Sequence, residues 1–154
     1  MGNERAFHEG SQLRNYEYTT VSPKVTINGV TGKMIERKSD FADPRKSLPS
    51  HSDSSDIYFS PGPDGYADKA KLYKDHSMVL DFDWSHTHTN KGKNGETFVK
   101  GTIHVQEYKM VRVRKDGKWT HEFKRVKRAR KMTSEEISKY GPIIRHFNPH
   151  VKFE

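Results

Sequence analysis

Three histidines carry most of the chemistry that this sequence offers. His86 and His88 stand two residues apart at the end of Met78-Val79-Leu80-Asp81-Phe82-Asp83-Trp84-Ser85-His86-Thr87-His88, and His104 returns in Gly101-Thr102-Ile103-His104-Val105-Gln106. Side chains alternate along an extended strand, so residues i and i+2 project from one face. If the second segment pairs beside the first, the three imidazoles converge with Asp81 or Asp83. Imidazole exchanges protons near neutral pH and also ligates metals, so two chemistries are open. In the metal-free one, one ring takes the proton of a ribose 2′-hydroxyl, another protonates the leaving 5′-oxygen, and a Lys or Arg steadies the phosphorane. In the other, His86, His88, His104 and Asp83 together hold a divalent metal. RNA supplies its own nucleophile, whereas DNA hydrolysis calls for an activated water and usually a cation. Nine histidines in 154 residues also produce close pairs by chance, and rings in a Thr/Asn-rich loop are often inert.

The most basic stretch of the chain comes directly afterwards. Residues 109–131 contain eleven Lys or Arg against Asp116 and Glu122, a local +9 within a net charge of +8. Arg112, Arg114, Lys124, Arg125, Lys127, Arg128 and Arg130 are the candidate phosphate contacts of such a surface. The bland alternative is a solvated hairpin whose cations protect an exposed edge from aggregation. Tyr58, Tyr66, Tyr73, Tyr108 and Trp119 are candidate stacking platforms, or else core and hairpin aromatics.

Those groups must be positioned by a modest core, because hydrophobic residues are 31% of the chain and mean hydropathy is −1.01. The expected fold is α+β: a small, mainly antiparallel sheet with one or two helices, the C-terminal helix packed on the sheet. Residues 1–55 read as an extended arm, a hairpin and a polar linker, and residues 56–154 as a compact domain that includes the basic hairpin. Asn28-Gly29 marks the early hairpin, followed by a Ser-, Pro- and Asp-rich linker over residues 39–55. Strands are expected at residues 57–59, 67–73, 78–84, 98–113 (one long strand or two) and 119–126, with Asp116-Gly117 turning the last pair. There Val111 and Val113 alternate with Arg112 and Arg114, predicting one packed face and one charged face. Thr133-Ser134-Glu135-Glu136 is a capping box that opens the clearest helix, and Gly141-Pro142 is expected to stop it. Ile143, Ile144, Phe147, Val151 and Phe153 then close the tail on the sheet.

Absent residues narrow the chemistry. There is no cysteine, so disulfides and thiolate metal sites are excluded, and any cofactor is none or a divalent metal on His, Asp and Glu. No apolar run approaches the roughly 18 residues of a bilayer span, and no signal peptide is recognised, so a soluble protein without a membrane partner is expected.

Residues 54–108, about a third of the chain, resemble the C-terminal toxin modules of bacterial polymorphic toxins of the RHS and LXG types. The likeness lies in Ile57-Tyr58-Phe59 after a Ser/Asp loop, a Gly-containing turn, and an aromatic strand around Tyr73. Asp81-Phe82-Asp83-Trp84 then runs into His86-x-His88, and His104 returns before Val105. The basic hairpin is longer than in such tails, and a single histidine stands where those modules usually end in His-x-His. The resemblance implies a nuclease, commonly an RNase on a small α+β sheet, with Asp83, His86, His88 and His104 at its centre. It also implies an acidic immunity protein as partner and delivery to a target-cell cytoplasm by a larger carrier.

The leading expectation is therefore a toxin-like endoribonuclease, with RNA favoured over DNA as partner. The alternatives are a non-catalytic nucleic-acid-binding module and a phage- or secretion-associated structural protein.

Overall fold

The computed structural model describes residues 6–7, 18–37, 48–49, 51–126 and 128–154. Its strands are β1 (Ala6–Phe7), β2 (Tyr18–Thr20), β3 (Val25–Ile27), β4 (Val30–Arg37), β5 (His51–Ser52), β6 (Ile57–Pro61), β7 (Ala67–Lys74), β8 (Ser77–Asp83), β9 (His88–Thr89), β10 (Thr97–Phe98), β11 (His104–Lys115) and β12 (Lys118–Arg125). One helix, α1 (Ser134–Phe147), follows. Ten strands join one sheet and β9 and β10 form a separate pair. The sheet is mostly antiparallel, with parallel pairing at β4–β6 and β1–β5, and its ten strands exceed the small sheet expected. Most of the expected arm (1–17) and linker (39–47 and 50), together with Lys127, lies outside the described residues.

The spine runs β4, β6, β7, β8, β11, and its register sorts side chains by face. Phe59, Ala70, Phe82 and Val105 stand opposite one another on four successive strands. All four are buried, and they meet Ile143, Ile144 and Phe147 of α1 in one core. The Phe59 and Phe147 rings lie 4.4 Å apart. Burying a side chain such as Phe82 stabilises the fold by about 1.5–3 kcal/mol. One residue along each strand, the neighbouring row reads Ser60, Lys69, Asp83, His104. Period-2 alternation puts that row on the opposite face. Here a second, smaller core of Tyr18, Ile35, Leu48, Tyr58 and Tyr73 covers the sheet at β4 and β6.

The early hairpin forms as expected, with Asn28 and Gly29 at φ 56° and 77°. It is hydrogen-bonded into the main sheet through β4 and β6, and its Val30 and Met34 lie in the helix-facing core. The stretch 98–113, expected as one long strand or two, forms two, β10 and β11, separated by the turn around Gly101.

Two local expectations are corrected. The capping box is present, Thr133 Oγ1 accepting from Glu136 N and Glu136 accepting from Thr133 N. Gly141-Pro142 does not stop the helix, which runs on to Phe147. Pro142 has no N–H for the carbonyl of Ser138, four residues back. Asn28 Nδ2 donates there instead, 3.1 Å from Ser138 O and 3.2 Å from Lys139 O, so the hairpin turn satisfies the interrupted ladder. The second correction concerns the basic hairpin. Among the described strands β12 pairs with β11 alone, Met110 and Trp119 are exposed, and Val111 and Val113 are half-buried outside both cores. The hairpin is a ribbon leaving the sheet, and none of its described side chains belongs to either core.

Candidate nucleic-acid active site

The imidazoles converge through strand register and one sharp turn. β8 and β11 pair with His104 opposite Asp83 and Gln106 opposite Asp81. His104 therefore rises from the polar face, where it is 1% exposed. His86 and His88 do not project side by side from one strand, as the spacing predicted. The chain bends after Asp83, whose Oδ1 accepts from Ser85 N at 2.8 Å and Ser85 Oγ at 2.6 Å. His86 sits on that bend and only His88 belongs to β9. The β9–β10 pair, with His88 opposite Phe98, then lays the His88 ring parallel to His104, with centroids 4.7 Å apart. His86 meets both rings nearly edge-on, at 5.2 Å from His104 and 6.1 Å from His88. One ligand-capable nitrogen from each ring lies within 4.8 Å of the others.

Hydrogen bonds give the rings different roles. Asn90 grips Ala129, its Oδ1 accepting from Ala129 N at 3.0 Å and its Nδ2 donating to Ala129 O at 2.9 Å. Both contacts fix which end of the amide is oxygen. His88 Nε2, 3.2 Å from that oxygen, must then carry the hydrogen, which leaves Nδ1 with its lone pair. His86 Nδ1 lies 3.1 Å from Ser85 Oγ and 3.5 Å from Asp83 Oδ1, with the side chain about half exposed. Burial pulls the His104 pKa down to about 4; Asp83 opposes this, while His88, His86 and Arg125 reinforce it. At neutral pH His104 is uncharged. His104 Nδ1 and Gln106 Oε1, successive on this face, are buried polar atoms without a hydrogen-bond partner among the described residues.

Asp83 thus lies at the cluster, engaged with Ser85 and His86. Asp81 is turned to Tyr108, whose hydroxyl donates to Oδ2 at 2.6 Å, and to Lys71 at 3.8 Å. Burial first, and then the Asp81 charge, raises the Tyr108 pKa and keeps the phenol protonated. Tyr58 and Tyr73, two of the stacking candidates, are core residues with rings 5.4 Å apart. Tyr66 packs edge-on against His150.

The cations divide by face. Arg125 stands opposite Tyr108, and its charge acts on both Tyr108 and His104. Arg112 and Arg114 share that face, by alternation from His104. Lys124, opposite Lys109, points to the other side, 4.0 Å from Glu122. Arg128 is exposed beside Lys91, with Nη2 3.3 Å from its carbonyl. Arg130 is engaged structurally: Nε donates to Glu107 at 2.7 Å, and Nη1 and Nη2 donate to Glu136 at 2.8 and 2.9 Å. With its donors satisfied in this way it is withdrawn from the phosphate contacts.

Sequence reasoning missed Asn90, Ser85, Gln106 and two lysines. Lys69 and Lys100 line a cleft of about 440 Å³ with His86, Ser85 and Asp68. Their isolation from the basic block hid them; strand pairing, which sets Lys69 opposite Asp83, reveals the first. Asn90 is one Asn in a loop of several polar residues, and only its contacts distinguish it.

Comparison with protein-family models, curated proteins and solved structures finds no match to this chain. Among the described residues, no helix is long and apolar enough to cross a membrane.

Proposed function

We propose that the protein is a nuclease that cleaves RNA by histidine acid–base chemistry at His86, His88 and His104. The observation that carries this reading is the meeting of three imidazoles, one of them buried and neutral, on the face that continues into Arg125 and the basic ribbon. His88 Nδ1 is the base for the 2′-hydroxyl, because Asn90 already holds the hydrogen on Nε2. The 2′-oxygen attacks phosphorus, and the P–O5′ bond breaks as protonated His86 gives its proton to the leaving oxygen. A 2′,3′-cyclic phosphate and a 5′-hydroxyl result. Asp83 orients His86, His104 supports His88 from beneath, and Arg125 stabilises the phosphorane charge. Release by a larger toxin and neutralisation by an acidic partner protein belong to the same reading; its sequence support is the resemblance over residues 54–108.

A metal-dependent reading has one observation in its favour: three imidazole nitrogens already lie within 4.8 Å. Coordination at about 2.0–2.1 Å would require them to close in further. Asp83, with Oδ1 engaged by Ser85, would then orient a ligand rather than serve as one.

The test is incubation of the purified protein with total RNA and with plasmid DNA, with and without a chelator. Cleavage of RNA in chelator, leaving cyclic phosphate ends, is expected. His86→Ala or His88→Ala should lower the rate about 10²–10⁴-fold. Excess zinc should inhibit by capturing the imidazoles. Cleavage that requires an added cation selects the metal reading, and activity indifferent to both substitutions removes the site.

A further inference from the structure

We infer that the His104-side face of the β11–β12 ribbon is a binding track for single-stranded nucleic acid, with Trp119 as its base-stacking platform. Register supplies the basis. Arg112 lies opposite His121 and Arg114 opposite Trp119, in the row that Tyr108 and Arg125 begin. From that pair to the Arg114–Trp119 pair is six residues of β11, a span of about 20 Å.

Charge is sorted between the two faces. Glu107 and Glu122 both fall on the opposite side, where Arg130 engages Glu107 and Lys115 engages Glu122 at 3.0 Å. On the histidine side, Arg112, Arg114 and Arg125 have no carboxylate within ion-pair distance among the described residues. Trp119 is 58% exposed, with the Arg112 guanidinium 4.6 Å and the Arg114 guanidinium 5.8 Å from its ring. An indole more than half exposed, with two unneutralised guanidiniums over its ring, offers a base the open part of its π-surface and the adjoining phosphates their counter-charges. A duplex keeps its base faces stacked, so only an unpaired strand can use this platform. An acidic protein could meet the arginines, but it has no equal use for the indole.

The track leads to the histidines, so its role in cleavage rests on the proposed function; binding by itself does not. Trp84 and Trp119 are the two tryptophans, and Trp84 is buried and bonded to Ala67 O, so a ligand on the ribbon is read through the exposed indole. Binding of a fluorescent 12-nucleotide single-stranded RNA, its duplex and a poly-glutamate peptide should be measured on the full chain carrying His86→Ala to suppress cleavage. The single strand should bind more tightly than the duplex and quench tryptophan emission. Trp119→Ala should abolish the quenching and weaken binding about 5- to 100-fold. Arg112→Ala with Arg114→Ala should reduce the salt slope by about 1.4, whereas Lys109→Ala with Lys118→Ala, on the far face, should leave the quenching intact.

Equal affinity for duplex and single strand with no effect of Trp119→Ala overturns the track, as does preference for poly-glutamate. Cleavage by the unmodified protein that is lost in His86→Ala, together with Trp119-independent binding, leaves the nuclease reading standing without the track. Trp119-dependent binding by a protein that cleaves nothing does the reverse.

Discussion

Between His104 and Glu107, β11 lies against β8, and three of its four side chains are buried; from Tyr108 to Lys115, its pairing partner among the described strands is β12, and every side chain is half-buried or exposed. One continuous strand is therefore clamped at one end and free at the other. The clamped half holds His104 to within the play of a packed core. The free half carries cations that gain nothing from packing and can meet a ligand. A rigid site and an adaptable surface are obtained from one backbone, and the change comes where Tyr108 donates to Asp81.

The largest effect should come from breaking the clamped half. Phe82→Ala removes the ring facing Val105 in the register and should cost about 3–5 kcal/mol, whereas Met110→Ala on the ribbon should stay within about 0.5 kcal/mol. Urea unfolding of both variants measures the contrast, and equal losses would dissolve it.

Acid should also act on the clamped end. The folded His104 pKa is about 4 against 6.5 for the free ring, so between those values the unfolded chain takes up a proton that the native one refuses. Stability is full above pH 6.5 and falls as pH drops toward 4, by at most about 3 kcal/mol. Denaturation midpoints across this window should slope upward with pH, and His104→Gln should flatten the slope. Glu136, whose pKa is lowered because Arg130 and Thr133 outweigh its burial, adds its own loss only below about pH 4.5.

A smaller effect separates two arginines that look alike in sequence. Arg130→Ala breaks contacts to Glu107 and Glu136 and should cost about 2 kcal/mol of stability. Arg112→Ala should change stability by less than about 0.5 kcal/mol, its cost appearing in RNA binding instead. Thermal melts read the first, and oligonucleotide titration the second.

Local periodicity made much of this arrangement legible. Alternation over 78–84 and the turn residues at 28–29 and 116–117 identify strands and hairpins that the structure contains. What periodicity cannot encode is partnership. That β4 runs parallel beside β6, or that the chain folds back after Asp83 to set His88 over His104, depends on contacts between distant residues. The same blindness grouped Arg130 with Arg112, since ion pairing is invisible in a charge count. It also placed the helix end at Gly141-Pro142, because the donor that rescues Ser138 O belongs to Asn28, 110 positions earlier.

That last contact has a consequence for synthesis. A ribosome releases the hairpin turn long before residues 138 and 139 exist, and the apolar side of β4 and β6 awaits the same helix. The nascent protein must keep an uncovered surface until residues 134–147 have been made, so the native state forms through long loops, which makes for slow maturation.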